Sequence, residues 1–332
     1  LAGAPLNISI SAYDVNSDSI VHPLTQQPLG KGLDKAIADA DVVTAEFEHI
    51  PLPILAQCQQ SGKFLPGETA IKAGGDRRLE KQLLDDAAVR SAAYHIVNNE
   101  TDFEQAIRKL GLPLVFKSAL AGYDGKGQWR LKRAEDAAAL WQQLDAFLQA
   151  DSKQSIVAEQ FIPFQREVSL IGARQANGDI KVFPLTENHH VNGVLSVSLA
   201  VDGNKQLQQQ AEQMFTAVAN QLNYVGVLAI EFFDVNGELL VNEIAPRVHN
   251  SGHWTQAGTH MDQFQLHLRA LCGIAIPQPQ VNFQCVMVNL IGIDNDARWL
   301  SLPNAELYWY NKEVRSGRKV GHLNLSVPNL TV

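Results

Sequence analysis

Several residue types and patterns are scarce in this sequence, and each scarcity excludes a class of protein. Only 3 cysteines occur among 332 residues, and Cys58, Cys272 and Cys285 are widely spaced with no C-x-x-C pair. This usage is typical of buried thiols in a reducing compartment and argues against a disulfide framework or a zinc site. No run of 18 apolar residues occurs, so we expect no membrane-spanning helix.

Basic residues are also fewer than acidic residues. The chain has 27 Lys and Arg against 35 Asp and Glu, a net charge of −8, which argues against a general nucleic-acid or anionic-membrane surface. The chain opens at Leu1 without the charged and apolar segments of a signal peptide, so a cytoplasmic location is predicted. Four basic residues near the end nevertheless cluster, as an anion site or a solvated charge run: Lys312, Arg315, Arg318 and Lys319.

Strand and helix patterns that alternate along the chain predict an α/β and α+β fold. The first part is predicted to be a doubly wound parallel-sheet domain whose first strand is missing, with strands at residues 7–15 and 41–48. Glu46 and Glu48 lie near the carboxyl end of the second strand, where open α/β sheets bind ligands; a solvated edge is the alternative. An α+β domain with mainly antiparallel strands follows, and then a small C-terminal β domain. The predicted bounds are residues 1–75, 76–277 (with a subdomain at about 95–165 that carries a glycine-rich loop) and 278–332.

Residues 224–254 form the part of the chain from which a function can first be inferred. Two apolar strands flank Asn236-Gly237, a pair that tolerates positive φ and is typical of a hairpin turn. Glu231 and Glu243 lie six residues from Gly237 on either side. A loop of odd length would place these two acids directly opposite each other, whereas a two-residue turn would pair Glu231 with Asn242.

Two acidic side chains so close in an apolar hairpin require a cation or strong donors. Mg²⁺ binds carboxylates, usually together with substrate phosphates, so a magnesium site is predicted at Glu231 and Glu243. A solvated face or salt bridges to Lys or Arg are the alternatives. A polar loop follows that can bind a planar anion through the fork of an arginine, although its histidines could equally be core residues. Its candidates are Arg247, His249, Asn250 and His253.

A second candidate site is the glycine-rich segment GYDGKGQ at residues 122–128. It lies between two predicted strands and not before a helix, which excludes the Walker loop and the dinucleotide-binding fingerprint. Backbone N–H groups of such a loop can still cover phosphates, with charge from Lys126 and from Lys117 on the preceding strand. A plain turn is the alternative. Arg77 lies in the early turns of one helix predicted over residues 69–89, where a surface ion pair is one interpretation.

Together these residues resemble the ATP-grasp superfamily. The matching set is Lys117, GYDGKGQ, the segment VAEQ at residues 157–160, Glu167, Glu231 and NEIAPRVHNSGHWT at residues 242–255. Within the superfamily, the segments APRVHNSGHWT, FPLTENHH and YNKEVRSGRKVGHLNL are similar to the purine-biosynthesis enzymes that carboxylate aminoimidazole ribonucleotide. The resemblance covers nearly the whole chain and implies an ATP-grasp fold between the N-terminal and C-terminal domains.

The resemblance also implies a reaction and a role for each matched residue. ATP would activate bicarbonate as carboxyphosphate, which carboxylates the 5-amino group of 5-aminoimidazole ribonucleotide and leaves ADP and phosphate. Mg²⁺ would be held by Glu231 and Glu243. The nucleotide would be bound by Arg77, Lys117, the flap Gly122, Tyr123, Asp124, Gly125, Lys126, Gly127 and Gln128, the adenine segment Glu159, Gln160, Phe161 and Ile162, and Glu167, His190, Asn242 and Glu243. The reacting groups would be held by Arg247, His249, Asn250, Lys126, Tyr123 and Asp124, and the substrate 5′-phosphate by Lys312, Arg315, Arg318 and Lys319.

The partners implied are therefore small molecules, namely ATP, bicarbonate and the ribonucleotide, and the resemblance adds a homodimer. Two other functions stay open on the residues alone. One is another ATP-grasp ligase that acts on a small carboxylate, and the other is a catalytically inactive nucleotide-binding module. The family normally begins with a strand and a glycine-rich turn that do not occur in this sequence before Leu1.

Overall fold

The structure, a computed structural model, describes residues 2–120, 127–200 and 203–327. The N-terminal region contains a three-stranded antiparallel sheet in the order β1-β2-β3. A small apolar core that includes Leu55, Phe64 and Ile71 packs beneath its helices. The elements are β1 (Ala12–Asp14), β2 (Ser19–Val21), β3 (Pro28–Lys31), α1 (Leu33–Asp39), α2 (Leu52–Gln60) and α3 (Glu68–Gly75).

The parallel pairing predicted for this region is present as a single bridge. Val43 pairs in parallel with Phe64; its N–H donates to the carbonyl of Lys63 at 2.9 Å, and its own carbonyl accepts from Leu65 N–H at 2.9 Å. Within the described residues, no second strand pairs with the segment around Val43 on its other side. The strand predicted at 7–15 is therefore present only as β1, which pairs antiparallel with β2, and the strand predicted at 41–48 is reduced to the bridge at Val43.

The single helix predicted over residues 69–89 is wrong, because the chain breaks at Asp76. The helix α4 (Arg77–Asp86) begins there, capped by the Asp76 carboxylate, which accepts from Arg78 N–H at 2.9 Å. At the end of α3, a side chain on Gly74 would lie 2.5 Å from Pro246 Cδ. This close approach and the cap turn α4 away from α3, and they place Arg77 beside the hairpin described below.

The flap-bearing subdomain is a separate layer of one antiparallel sheet covered by two helices. Its strands lie in the order β4-β7-β5-β6, and its core is aromatic and aliphatic, centred on Phe103, Phe116 and Leu144. The helix α5 begins at an Asn99 cap and ends at Gly111. The elements are β4 (Tyr94–Val97), α5 (Glu100–Leu110), β5 (Leu114–Ser118), β6 (Gln128–Leu131), α6 (Ala137–Ala150) and β7 (Ile156–Gln160).

The central sheet follows the order β13-β12-β8-β10-β11-β14-β16-β15, and β9 pairs with β8. One face packs on α7 through residues such as Phe215 and Leu228, and the other packs on α9 and Trp254. The elements are β8 (Arg166–Arg174), β9 (Ile180–Val182), β10 (Thr186–Val191), β11 (Val194–Ala200), α7 (Lys205–Gln221), β12 (Gly226–Val235), β13 (Glu238–Ala245), α8 (Thr255–Gly258), α9 (Gln263–Leu271), β14 (Gln284–Ile291), β15 (Ala305–Trp309) and β16 (Lys319–Val327).

The strands of the predicted C-terminal β domain continue this central sheet. The strand β14 pairs with β11 on one side and with β16 on the other, all antiparallel. The register places Lys319, at the start of β16, opposite Ile291. Consequently the basic end of the chain is brought to the same sheet as the acidic hairpin. No helix in the described ranges is long and apolar enough to cross a membrane.

Candidate active site

The hairpin of β12 and β13 places Glu231 directly opposite Glu243, as predicted. The odd-length loop proposed as the cause is wrong. The turn has two residues, Asn236 and Gly237, both with positive φ (55° and 85°), and it pairs Val235 with Glu238. A β-bulge then inserts Asn242 between the pairs Phe232–Val241 and Glu231–Glu243. The bulge, and not the turn, brings the two acids level.

Among the described residues, no Lys or Arg side chain forms an ion pair with Glu231. Its nearest basic group is His249 Nε2, at 3.6 Å from Oε1, and ligand atoms of Glu167, His190 and Glu231 lie within 4.8 Å of one another. Burial, followed by repulsion from Glu243, raises the pKa of Glu231 to about 8. A buried acid destabilised in this way is stabilised by a divalent cation, so the residues present fit Mg²⁺.

Glu243 faces a cleft between the hairpin, α3 and α4. Arg77 Nη2 lies 3.5 Å from its Oε2, and Arg77 Nη1 lies 4.0 Å from Glu80 Oε2. The cleft is lined by Glu48, His49, Gly74, Gly75, Arg77, Glu80, Ala119, Glu243, Ile244, Ala245 and Arg247. Arg77 therefore forms, in place of the surface ion pair considered for it, a partly buried contact with a candidate metal ligand.

Arg247 lies at the same cleft and pairs with Glu48, with Nε 2.8 Å from Oε1. Its Nη1 donates to the carbonyl of Val248 at 3.0 Å. The Glu48 side chain is 11% exposed and the Arg247 side chain 27% exposed, and both line the cleft. The sequence offered Glu48 only as a residue near a strand end where ligands can bind, with a solvated edge as the alternative, and the structure places it in the cleft.

His249 is held in one tautomer by a buried chain of hydrogen bonds. Ser251 N–H donates to His249 Nδ1 at 3.3 Å, and Ser251 Oγ lies 2.9 Å from the same nitrogen. Ser169 O–H donates to Ser251 Oγ at 2.8 Å and itself accepts from Asn188 Nδ2 at 2.9 Å. Because Nδ1 accepts, Nε2 carries the proton and faces Glu231. Burial, followed by the charge of Arg247, holds the pKa of His249 well below its usual value, so the ring is neutral.

The other histidine of the loop supports the backbone. His253 Nδ1 lies 3.0 Å from the carbonyl of His249 and 2.9 Å from that of Asn250. Burial, followed by the charge of Lys319, lowers the pKa of His253 to about 3. A neutral Nδ1–H that donates to the turn fits the core interpretation of this residue better than a catalytic one.

The four residues of the basic cluster near the end of the chain have different surroundings in the structure. Lys319 is partly buried and its Nζ donates to Asn250 Oδ1. Lys312 is exposed, with its Nζ 5.2 Å from the centre of the Tyr310 ring. Arg315 pairs with Glu313, and Arg318 donates to the Glu313 carbonyl at 3.3 Å. Of the four predicted phosphate residues, Lys319 is the one that contacts the loop of His249 and Asn250.

Lys117 reaches the hairpin from the flap-bearing subdomain. Its Nζ donates to Asn242 Oδ1 at 3.3 Å and lies 2.7 Å from Glu159 Oε2. At the base of the flap, Gly127 has a φ of 66°, and its carbonyl accepts from Ser118 N–H at 2.8 Å, which ties the segment before Gln128 to the end of β5. The predicted residues Gly122, Tyr123, Asp124, Gly125 and Lys126 lie outside the described residues.

The predicted nucleoside residues lie along one extended path. Gln160 N–H donates to the carbonyl of Ala93, and Phe161 N–H to that of Pro113, so the segment that includes Ile162 continues from β7 towards β8. Glu167 Oε2 is 3.3 Å from His190 Nδ1. Burial lowers the pKa of His190, but the bond to Glu167 and the charge of Glu231 outweigh it and raise the pKa overall.

Two family models match the chain. The ATP-grasp domain matches residues 82–264, and the phosphoribosylaminoimidazole carboxylase C-terminal domain matches residues 285–331. An N5-carboxyaminoimidazole ribonucleotide synthase from Vibrio vulnificus is 60% identical over 326 residues, 98% of this chain and 86% of that protein. The synthase from Escherichia coli is 40% identical over 326 residues, with 98% and 85% covered.

Solved structures agree with these matches. The crystal structure of N5-carboxyaminoimidazole ribonucleotide synthetase from Thermus thermophilus is 34% identical, with a TM-score of 0.86 over 99% of this chain and 90% of that one. The synthase from Aspergillus clavatus in complex with ADP and 5-aminoimidazole ribonucleotide is 25% identical, with a TM-score of 0.79 over 90% and 80% of the two chains.

Fold and site thus define an ATP-grasp ligase, in which Lys117 of the four-stranded sheet contacts the acidic hairpin. The C-terminal strands and the loop that contains Arg247 and His249 are features of a narrower family within that class. The chain belongs to the N5-carboxyaminoimidazole ribonucleotide synthases. This confirms the resemblance in sequence, including the ATP-grasp fold.

Proposed function

We propose that this enzyme carboxylates the 5-amino group of 5-aminoimidazole ribonucleotide at the expense of ATP and bicarbonate. The products are N5-carboxyaminoimidazole ribonucleotide, ADP and phosphate, and the intermediate is carboxyphosphate. ATP and Mg²⁺ are required. The observation that carries the proposal is the convergence of Lys117, Arg77, Glu231 and Glu243 beside the loop of Arg247 and His249 in a chain of this family.

Charge neutralisation is the main task of the residues at the nucleotide. Phosphoryl transfer depends on positioning and on stabilising negative charge, with little covalent chemistry for the protein. Glu231 and Glu243 would hold Mg²⁺, with Asn242 beside them, and the ion when bound would offset the charge of the phosphates. Lys117 and Arg77 would add fixed positive charge from the two sides of the cleft. Both side chains already contact polar groups of β13, so they need to move little when the nucleotide binds.

The loop after β13 would bind the reacting anion. Arg247 offers a planar fork to bicarbonate and carboxyphosphate, and its partner Glu48 would be displaced or would accept from the substrate amine. The neutral His249 can donate from Nε2 without adding charge, because its Nδ1 is occupied. Asn250 and Lys319 would then lie at the ribonucleotide side, where Lys319 can bind the 5′-phosphate.

Exclusion of water matters here because carboxyphosphate hydrolyses readily. The flap of residues 122–128 would cover the phosphates from β5 and β6, and Tyr123, Asp124 and Lys126 would contribute to the ribonucleotide side. The adenine segment from Glu159 to Ile162 would pair with the base through backbone groups, and Glu167 would accept from the ribose hydroxyls. The family resemblance also supports a cytoplasmic location and a homodimer, and sedimentation of the purified protein would test the dimer.

Glu243→Gln tests the proposed metal site. We expect turnover to fall by about two orders of magnitude or more, since the site loses one of its two carboxylates, while the thermal midpoint changes little because Gln keeps the volume. Phosphate release with Mg²⁺, ATP, bicarbonate and ribonucleotide measures turnover. Glu238→Gln, at the exposed start of the same strand, is the matched control. Wild-type turnover in the Glu243 variant would refute the metal assignment.

The same assay separates this function from the two alternatives. A ligase for another small carboxylate would release phosphate without bicarbonate when given its own substrate. An inactive nucleotide-binding module would bind ATP and release no phosphate with any of the substrates. Release that requires both bicarbonate and the aminoimidazole ribonucleotide supports the carboxylase.

A further inference from the structure

Lys81 is a fully buried lysine on α4 to which no role has been given so far. Its side chain is 1% exposed, and its Nζ lies 2.9 Å from Glu159 Oε1. Ser91 Oγ is 3.4 Å away, and the Tyr94 ring centre is 5.7 Å away. An ammonium group so far from water is destabilising unless an anion compensates it, and Glu159 is the carboxylate in contact with it.

Glu159 is shared between Lys81 and Lys117. Its Oε2 lies 2.7 Å from Lys117 Nζ, and its side chain is 5% exposed. Burial alone would raise the pKa of Glu159, but the two lysines outweigh it and lower the pKa to about 2. The carboxylate is therefore charged at any pH at which the enzyme works, and each of its oxygens faces a different ammonium group.

The three groups come from three elements and carry a net charge of +1. Lys81 lies on α4, Glu159 on β7 and Lys117 on β5. If Lys81 were neutral, Glu159 and Lys117 would form a balanced ion pair beside Asn242, with no surplus charge to attract phosphate. With Lys81 charged, the three groups together keep one positive charge. Of the two lysines, Lys117 has the more exposed side chain, 8% against 1% for Lys81.

We propose that Lys81 is a positioning residue for nucleotide binding, which neutralises Glu159 and so leaves the charge of Lys117 available to the phosphates of ATP. Lys81 is buried and does not contact the nucleotide itself; its effect on Lys117 passes through Glu159. The inference rests on the proposed contact between Lys117 and the nucleotide. It also gives the Glu159 side chain a function, whereas the sequence had assigned that residue to the adenine pocket.

Lys81→Met removes the charge and keeps most of the length of the side chain. We expect the KM for ATP and the dissociation constant of Mg²⁺–ADP to rise by about tenfold or more, because Glu159 would then neutralise Lys117 and weaken its hydrogen bond to the phosphate, and a hydrogen bond to a charged group is worth at least that factor. The double variant Lys81→Met/Glu159→Gln restores the surplus charge on Lys117. We expect it to recover wild-type values to within about threefold.

The rescue separates a charge effect from a structural one. If Lys81 served only the packing of α4, removal of its partner as well would not restore nucleotide affinity, and the double variant would bind as weakly as the single variant or more weakly. That result, or a wild-type KM for ATP in Lys81→Met, would overturn the proposal. Should Lys81→Met fail to fold, the double variant alone decides: tenfold weaker Mg²⁺–ADP binding contradicts the proposal, and near-wild-type binding supports it.

Two further variants serve as controls. Lys35→Met/Asp39→Asn removes an exposed ion pair on α1, whose side chains are 56% and 61% exposed, and should change neither constant. Lys117→Met tests the underlying nucleotide contact. If Lys117→Met weakens ATP binding while Lys81→Met does not, the role of Lys81 is wrong and the proposed nucleotide site stands. If neither does, the nucleotide site is wrong as well.

Discussion

Lys319 allows a pH dependence of substrate binding to be predicted. Burial, followed by repulsion from Lys312, lowers the pKa of Lys319 from 10.5 to about 7. Its Nζ donates to Asn250 Oδ1 and lies 5.4 Å from the centre of the Tyr310 ring. In the proposed site, the charged ammonium attracts the 5′-phosphate of the ribonucleotide, whereas the neutral amine does not.

The size of the effect follows from this pKa. At pH 6 about nine in ten molecules carry the ammonium form, and at pH 8 about one in ten does, which corresponds to about 1.4 kcal/mol of binding free energy. We therefore expect the KM for the ribonucleotide to rise about tenfold from pH 6 to pH 8. Lys319→Arg stays charged over this range, so its KM should remain nearly constant.

Initial rates at saturating ATP and bicarbonate, measured from pH 6 to pH 9, give the KM at each pH. Lys312→Met removes the repelling charge and should move the rise in KM to higher pH. A wild-type KM that is flat between pH 6 and pH 8 would refute the reasoning. An equal rise in Lys319→Arg would also refute it, since the titrating group would then be elsewhere, for example the substrate phosphate itself.

The same group makes a signed contribution to stability. Below pH 7 both the folded and the unfolded state carry the ammonium, so folding bears the full cost of burying it. Between pH 7 and 10.5 the unfolded state binds a proton that the folded state lacks, so the free energy of unfolding rises with pH in this window. Urea unfolding of wild type and Lys319→Met should show this rise in the wild type alone.

Two further substitutions test the contacts behind the cleft. Glu80 accepts from Ile244 N–H at 2.6 Å, and burial raises its pKa to about 7; its contribution to stability therefore falls as pH rises from about 4.5 to 7. Glu80→Gln should remove that loss, whereas Glu80→Leu leaves the N–H unpaired and should cost about 1–3 kcal/mol in urea unfolding; equal stability of the two variants would contradict this. Gly74→Ala places a carbon 2.5 Å from Pro246 Cδ, which should cost about 1–3 kcal/mol and raise the KM for bicarbonate through Arg247; an unchanged thermal midpoint and KM would contradict it.

Local patterns in the sequence were sufficient for the hairpin and its acids. Asn236 and Gly237 predict the turn through their tolerance of positive φ, and the spacing of Glu231 and Glu243 predicts a facing pair. The facing pair is confirmed, but its cause is not the one inferred, since the bulge at Asn242 corrects the register that a two-residue turn would give. A bulge depends on how both strands pair with their neighbours, and no short segment encodes it.

The helix predicted over residues 69–89 shows the limit of local reasoning in another way. Its composition is helical throughout, yet Gly74 approaches Pro246 and Asp76 caps a new helix. The contact with Pro246 joins residues far apart in the sequence. Only the tertiary structure shows that Arg77 consequently lies beside Glu243.

By itself, the sequence determined the family and the facing pair of acids in the hairpin, and it predicted the glycine-rich segment and the basic cluster as parts of the site, because each of these has a local motif. The tertiary structure decided which side chains share charge and hydrogen bonds: Lys81 with Glu159, Ser169 with Ser251, and Lys319 with Asn250. These contacts join separate strands and helices that meet only when the sheets pack. Burial away from water strengthens each of these contacts and makes an unpaired partner costly, and a linear pattern of residues does not reveal which groups are buried together.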